Sequence, residues 1–172
     1  MFIRICLLLL VVMFIMPINR ASSGDDARFK KIDAQGREMD DSASKWYIVL
    51  DSKTGLYWEV KTVDESLHSN SVIYNYAAAN DEFIKELNES NFGGFSDWRL
   101  PTEDEMFDLK VKKKGDEVAT NLNFFPNTLP ARYMAHSWCG SRSEYQEGSV
   151  KFGKEKTKGG KYVRAVRGKP LE

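Results

Sequence analysis

The chain has 172 residues, with 25 basic and 25 acidic side chains and a formal net charge of zero. That length allows one domain with a real core, and the balanced charge excludes a global field that would draw in nucleic acid or another polyanion. With two cysteines and two histidines in all, neither histidine having a partner at metal-ligand spacing, a His/Cys zinc site has no donor set.

The chain opens on MFIRICLLLLVVMFIMP, in which the basic Arg4 precedes an apolar stretch from Ile5 to Met16. Small residues follow at Ala21, Ser22, Ser23 and Gly24. This is the shape of a secretory signal peptide, and the apolar run is shorter than the roughly 20 residues that span a bilayer. Residues 1–24 are expected as that signal, with an uncleaved anchor as the alternative. The protein is then extracytoplasmic, whether periplasmic, surface-bound or secreted. Loss of Arg4 and Arg20 leaves the remainder at net −2. Cys6 leaves too, so the single remaining thiol, Cys139, is expected as a small buried hydrophobe or, failing that, as a partner for another molecule.

Residues 25–44 are polar and mixed in charge, a leader with one short strand at Arg28–Ile32, and 45–169 is expected as the folded domain. KWYIVLDSKTGLYWEVKT sets two aromatic and β-branched runs around a turn at Asp51–Gly55, the pattern of a hairpin with a Gly-closed loop. Residues 62–74 lack periodicity and read as a loop. From Tyr76 to Asn88 the spacing of Ala79, Phe83, Ile84 and Leu87 gives one apolar stripe of a helix, which Asn and Gly end by Gly94.

FGGFSDWRLPTEDEM then contains a capping box: Thr102 and Glu105 each satisfy a free backbone N–H of the other. Pro101 keeps Leu100 extended, so Trp98 and Leu100 point one way, into the core, and Arg99 the other. Glu103, Asp104 and Glu105 suit the first turn of a helix and are expected as a cap and a solvated face. Met106 and Leu109 line the inner side of that helix. Phe124 and Phe125 must bury. SWCGS and SVKFG read as short strands, and KYVRAVRG as one closing strand.

Chemistry is sparse. No G-x-S-x-G elbow and no glycine-rich phosphate loop occur. His136 stands three residues before Cys139, which on a strand puts the two on opposite sides. No catalytic residue, metal or cofactor is expected. What remains is basic: from Lys151 to Lys169 eight basic residues stand against one acid, Glu155. Lys151, Lys154, Lys156, Lys158 and Lys161, helped by Arg142, are the candidate ligand-binding residues. They would hold a sulfated or phosphorylated polymer by salt-sensitive ion pairing; the alternative is an ordinary solvated loop.

DSKTGLYWE, GGFSDWRLPTEDEM, FFPNT and YVRAVRG, in this order, resemble the Lcl_C family, named for the C-terminal domain of a bacterial collagen-like adhesin. The resemblance runs from about Trp46 to Gly168. RLPTEDEM and VRAVR are more distantly similar to the formylglycine-generating-enzyme branch of C-type-lectin-like folds, whose active-site cysteines this chain lacks. The resemblance implies an extracytoplasmic α+β domain, C-type-lectin-like, with short antiparallel strands, two helices and long irregular loops. It also implies that Ile84 and Ala165 stand where relatives carry a cysteine pair, so that helix and closing strand meet through packing. The named adhesin binds sulfated glycosaminoglycans and is trimeric. The expected function is accordingly a secreted, non-enzymatic recognition or adhesion module for polyanionic glycans, with a homotrimer as a possible assembly. The alternatives are a structural or protein-interaction subunit of a bacterial envelope assembly and, last, an enzyme of the formylglycine-generating type. No nucleic-acid partner is expected, and membrane contact only through an uncleaved signal.

Overall fold

The computed structural model describes residues 27–111, 120–142, 144–153 and 161–169. The expected signal peptide and the candidates Lys154, Lys156 and Lys158 lie outside them. Strands β1 (Phe29–Ile32), β2 (Ile48–Asp51) and β3 (Leu56–Glu59) form an antiparallel meander, with Phe29 opposite Asp51 and Ile48 opposite Glu59. The β2–β3 turn is the expected hairpin. Gly55 closes it at φ 73°, a left-handed geometry that a side chain would strain. Lys31 is buried on β1; its ammonium donates to the carbonyls of Asp41 and Ala43, both at 2.7 Å, and lies 4.0 Å from the Trp46 ring centroid. Each donor is engaged, which is what burying a lysine requires.

After a loop, β4 (Ile73–Tyr74) adds a two-residue strand that sequence periodicity does not disclose. The helical run follows as α1 (Tyr76–Ala78), a π-helical turn at Ala79–Ile84, and α2 (Lys85–Glu89). Asn75 caps it, its Oδ1 accepting from Ala78 N at 2.8 Å. The expected apolar stripe is buried throughout: Ala79, Phe83, Ile84 and Leu87. The wide turn is the departure; spacing at three and four residues does not separate it from α-helix.

The Trp98 corner is internal. Its indole is 2% exposed and donates from Nε1 to the Phe92 carbonyl at 2.9 Å. Asn88 clamps its backbone, accepting from Trp98 N at 2.7 Å and donating to Trp98 O at 2.9 Å. Helix α3 (Glu103–Asp108) begins at the expected capping box. Glu105 differs from expectation. It is buried rather than solvated, because Arg99, pointing away from Trp98, grips both its oxygens at 2.6 and 2.8 Å.

Strands β5 (Arg132–Cys139) and β6 (Glu144–Lys151) make one long hairpin, where two short strands were expected. The closing segment also differs. It divides into β7 (Lys161–Tyr162) and β8 (Val166–Arg167), which join different sheets. The first sheet has the order β1-β2-β3-β8 and the second β4-β7-β5-β6. The three residues between them, Val163, Arg164 and Ala165, are all buried.

Two apolar clusters result. Phe29, Trp58, Met106, Phe124, Phe125, Tyr133 and Phe152 belong to one; Ile48, Phe83, Leu87, Trp98, Leu100 and Val163 belong to the other. Ile84 and Ala165 both belong to the second cluster. Among the described residues no helix is long and apolar enough to cross a membrane.

Candidate functional site

The half of the β5–β6 hairpin nearest its turn stands clear of both clusters. Residues 144–147 on β6 are all exposed, whereas Tyr133, Met134 and Ala135 on β5 are buried. Pairing places Trp138 opposite Tyr145 and His136 opposite Glu147, so these four share one face. Trp138 is 57% and Tyr145 50% exposed, with ring centroids 5.1 Å apart at 64°. Two large aromatics left in water at adjacent positions are unusual for a protein of this size.

The start of α3 crosses the hairpin here. His136 N donates to Pro101 O at 2.7 Å, which ties β5 to the segment before the helix. Glu103 is then held by both strands: Oε2 accepts from Ser137 Oγ at 3.0 Å and Oε1 from Ser149 N at 3.1 Å. Gly148 makes the approach possible, since a Cβ there would stand 2.8 Å from Glu103 Oε1 and 2.8 Å from the Ser137 Cβ. A groove of about 530 Å³ is lined by Thr102, Glu103 and Asp104 together with His136, Ser137, Trp138 and Tyr145.

His136 is fixed from behind. Tyr76 Oη lies 2.6 Å from its Nδ1, and Tyr145 packs on the ring at 5.5 Å. Burial, then the nearby Arg99 cation, hold its pKa below the ordinary value, against the weaker opposing pull of Glu105. The neutral ring is therefore favoured at pH 7. Either tautomer leaves Nε2 with one hydrogen-bonding position not engaged by any described residue. Among the described residues, no cation pairs with Glu103 or Asp104.

The three basic candidates among the described residues stand apart. Lys151 stands exposed at the end of β6. Lys161 is half-buried and donates to Glu147 at 2.6 Å. Arg142 lies 3.8 Å from Glu144, both exposed. Two neighbours counted in the same charge excess behave differently. Arg164 is buried, and Arg167 pairs with Asp97 at 2.7 Å and stacks 3.8 Å from the Phe95 ring. Cys139, expected buried, is half-exposed at the end of β5. The Ser141 hydroxyl at 3.3 Å holds its thiol below the ordinary value. Its strand position faces it away from His136, so the two do not form a nucleophile–base pair.

A second polar cluster is largely internal. Glu59, with no exposure, accepts from Lys61 Nζ and from His68 Nδ1, each at 2.9 Å, and from Ala165 N at 3.0 Å. Burial alone would raise its carboxyl, but the Lys61 and His68 contacts outweigh that and hold it low. Burial also pulls the Lys61 ammonium down, against the pull of Glu59. Arg164 lies between the Phe125 and Tyr133 rings and bonds Thr128 Oγ1 at 2.9 Å, while its Nε is buried without a partner. This cluster joins β3, the loop after it and the closing segment, and Lys61 also lines a cavity of about 300 Å³ with Trp46, Thr62 and Asn127. Among the described residues no group of His, Cys, Asp and Glu is placed to hold a metal ion.

Sequence reasoning assigned Glu103 and Asp104 to a helix turn and Trp138 to a short strand, considered His136 only for its spacing from Cys139, and gave Tyr145 no element. The legible hint was alternation: His136 and Trp138 before the turn, Tyr145 and Glu147 after it, at hairpin spacing.

Two four-stranded sheets and short helices define a small α+β domain with an open groove on an aromatic hairpin. The chain belongs to the Lcl C-terminal domain family, whose model matches residues 47–167. No curated protein and no solved structure matches it. The family membership associates the domain with adhesins.

Proposed function

We propose that this is a non-enzymatic, adhesion-type recognition domain, acting outside the cytoplasm, whose contact surface for glycans is the β5–β6 hairpin. The observation that carries the reading is the exposed Trp138–Tyr145 pair at the mouth of the groove. Exposed aromatics that neither core needs are explained by an interaction. The C-type-lectin-like reading of the fold, which rests on sequence resemblance, fits such a role.

A second reading keeps the polyanionic ligand expected from the charge pattern. Lys151, with no described carboxylate partner, leads from β6 into the segment holding Lys154, Lys156 and Lys158. Heparin-column elution of wild type against a Lys154/Lys156/Lys158→Ala variant tests it; equal elution salt removes it.

The test of the main reading is an array of immobilised neutral and sulfated polysaccharides, probed with wild type, Trp138→Ala and Tyr145→Ala. Loss of signal in the hairpin variants is expected. Unaltered signal in both, or no signal from wild type, overturns it.

A further inference from the structure

The groove is chemically unlike the basic segment beside it. Its described walls carry two carboxylates, one neutral imidazole and two exposed rings, and no ammonium or guanidinium. The nearby cations are engaged elsewhere: Arg99 by Glu105 and Lys161 by Glu147. A sulfated or phosphorylated unit placed here would meet Glu103 and Asp104 without compensation, which opposes entry.

The polar groups are of both kinds. Glu103 is fixed by the Ser137 hydroxyl and the Ser149 N–H, which leaves each oxygen a further lone pair. Asp104 also lines the groove and is exposed. His136 is a further lining residue, its Nδ1 held by Tyr76. A lone ammonium would use the acceptors and leave the imidazole idle. A vicinal diol uses both, because each hydroxyl donates to one group and accepts from another. The ring faces of Trp138 and Tyr145 complete the match. The axial C–H bonds of a pyranose carry partial positive charge and meet the negative face of an aromatic ring, while the flat, weakly hydrated sugar face leaves water. A volume of about 530 Å³ lies within the roughly 300–1,000 Å³ of small-ligand sites.

We propose that this groove binds an uncharged pyranose unit of a glycan, stacked on Trp138 and Tyr145, with its hydroxyls shared among Glu103, Asp104 and His136. The proposal rests on the reading of the hairpin as the recognition surface and adds the class of ligand.

The full chain is ¹⁵N-labelled and the indole N–H resonance of Trp138 identified with Trp138→Phe. Cellotriose, maltotriose and triacetylchitotriose are titrated to about 10 mM, since single-site saccharide contacts of millimolar affinity are visible there. At least one is expected to shift that resonance, equally at low and high salt. Asp104→Ala is expected to weaken the effect about fivefold, as loss of one hydrogen-bond partner does. In Trp138→Ala, the remaining groove resonances should no longer respond. Lysine methyl ester and a heparin tetrasaccharide are run in parallel. A response to the lysine ester alone, abolished by salt, makes the groove a cation site and overturns the proposal. A response of the indole to the heparin fragment overturns it too, as does silence with all three neutral sugars. If the groove fails but Trp138→Ala and Tyr145→Ala still lose array binding, hairpin recognition stands and only this ligand class falls.

Discussion

Glu59 and Lys61, two residues apart in sequence, form an ion pair at 2.9 Å with side-chain exposures of 0% and 3%. A pair so enclosed is held in place by its further bonds, here His68 and the Ala165 N–H on the carboxylate. Removing one partner strands the other. Glu59→Ala is expected to lower the unfolding free energy by about 3–5 kcal/mol, read from urea denaturation. Arg164 differs because its one side-chain bond is to neutral Thr128 and no carboxylate grips it. Arg164→Met is therefore expected to be neutral or stabilising by about 1–4 kcal/mol. A loss as large as that of Glu59→Ala would show that Arg164 is an integral member of the ionic cluster.

Trp98 sits in the second core cluster with its indole N–H and both backbone groups bonded. Trp98→Ala is expected to cost about 3–5 kcal/mol, the range for a large core aromatic. Thermal melting measures it; a shift below about two degrees would contradict the burial.

Gly148 is where β6 admits the Glu103 carboxylate. Gly148→Ala is expected to destabilise by about 1–3 kcal/mol, as overpacking does. Combining it with Glu103→Ala should give less than the sum of the two losses, because the variants act on one contact. Additive losses in a double-mutant cycle would mean that the clash with Ser137 dominates.

The pKa of His136 is lowered in the folded chain, chiefly by burial and next by Arg99, with Glu105 opposing. The unfolded chain therefore takes up the proton more readily. Stability is full above the unfolded value of about 6.5 and falls as pH drops through the lower folded value. The depressed carboxylates Asp97 and Asp108 act in the same direction, but only below 3.8. The urea midpoint is expected to decline between about pH 7 and pH 5 in wild type and to stay flatter in His136→Gln. Equal slopes would rule out this imidazole as the cause.

Local patterns were legible where one physical cause acts alone. The Thr102–Glu105 capping box, the hairpin around Gly55, the helix stripe and the buried Trp98 corner all follow from short-range rules. The family motifs TGLYWE and DWRLPTE lie in those same segments. What escaped depends on distant partners. Glu105 reads as a solvated acid until Arg99 is seen to grip it, and Arg164 reads as part of a basic surface until Phe125 and Tyr133 enclose it. KYVRAVRG alternates like one strand, yet β7 and β8 join different sheets. The groove was invisible for the same reason, since Glu103 and Trp138 meet only once α3 crosses the hairpin.

The placement of β8 governs when this chain can become itself. Val166 exchanges two backbone bonds with Arg99 and pairs with Trp58, and Glu59 closes on Ala165. Every one of those partners is made long before residues 165 and 166 leave the ribosome. Until then β3 keeps an open edge and Glu59 lacks the amide that locks it. Folding must therefore wait for this segment, and a premature stop even slightly upstream of Ala165 should yield a chain that never matures.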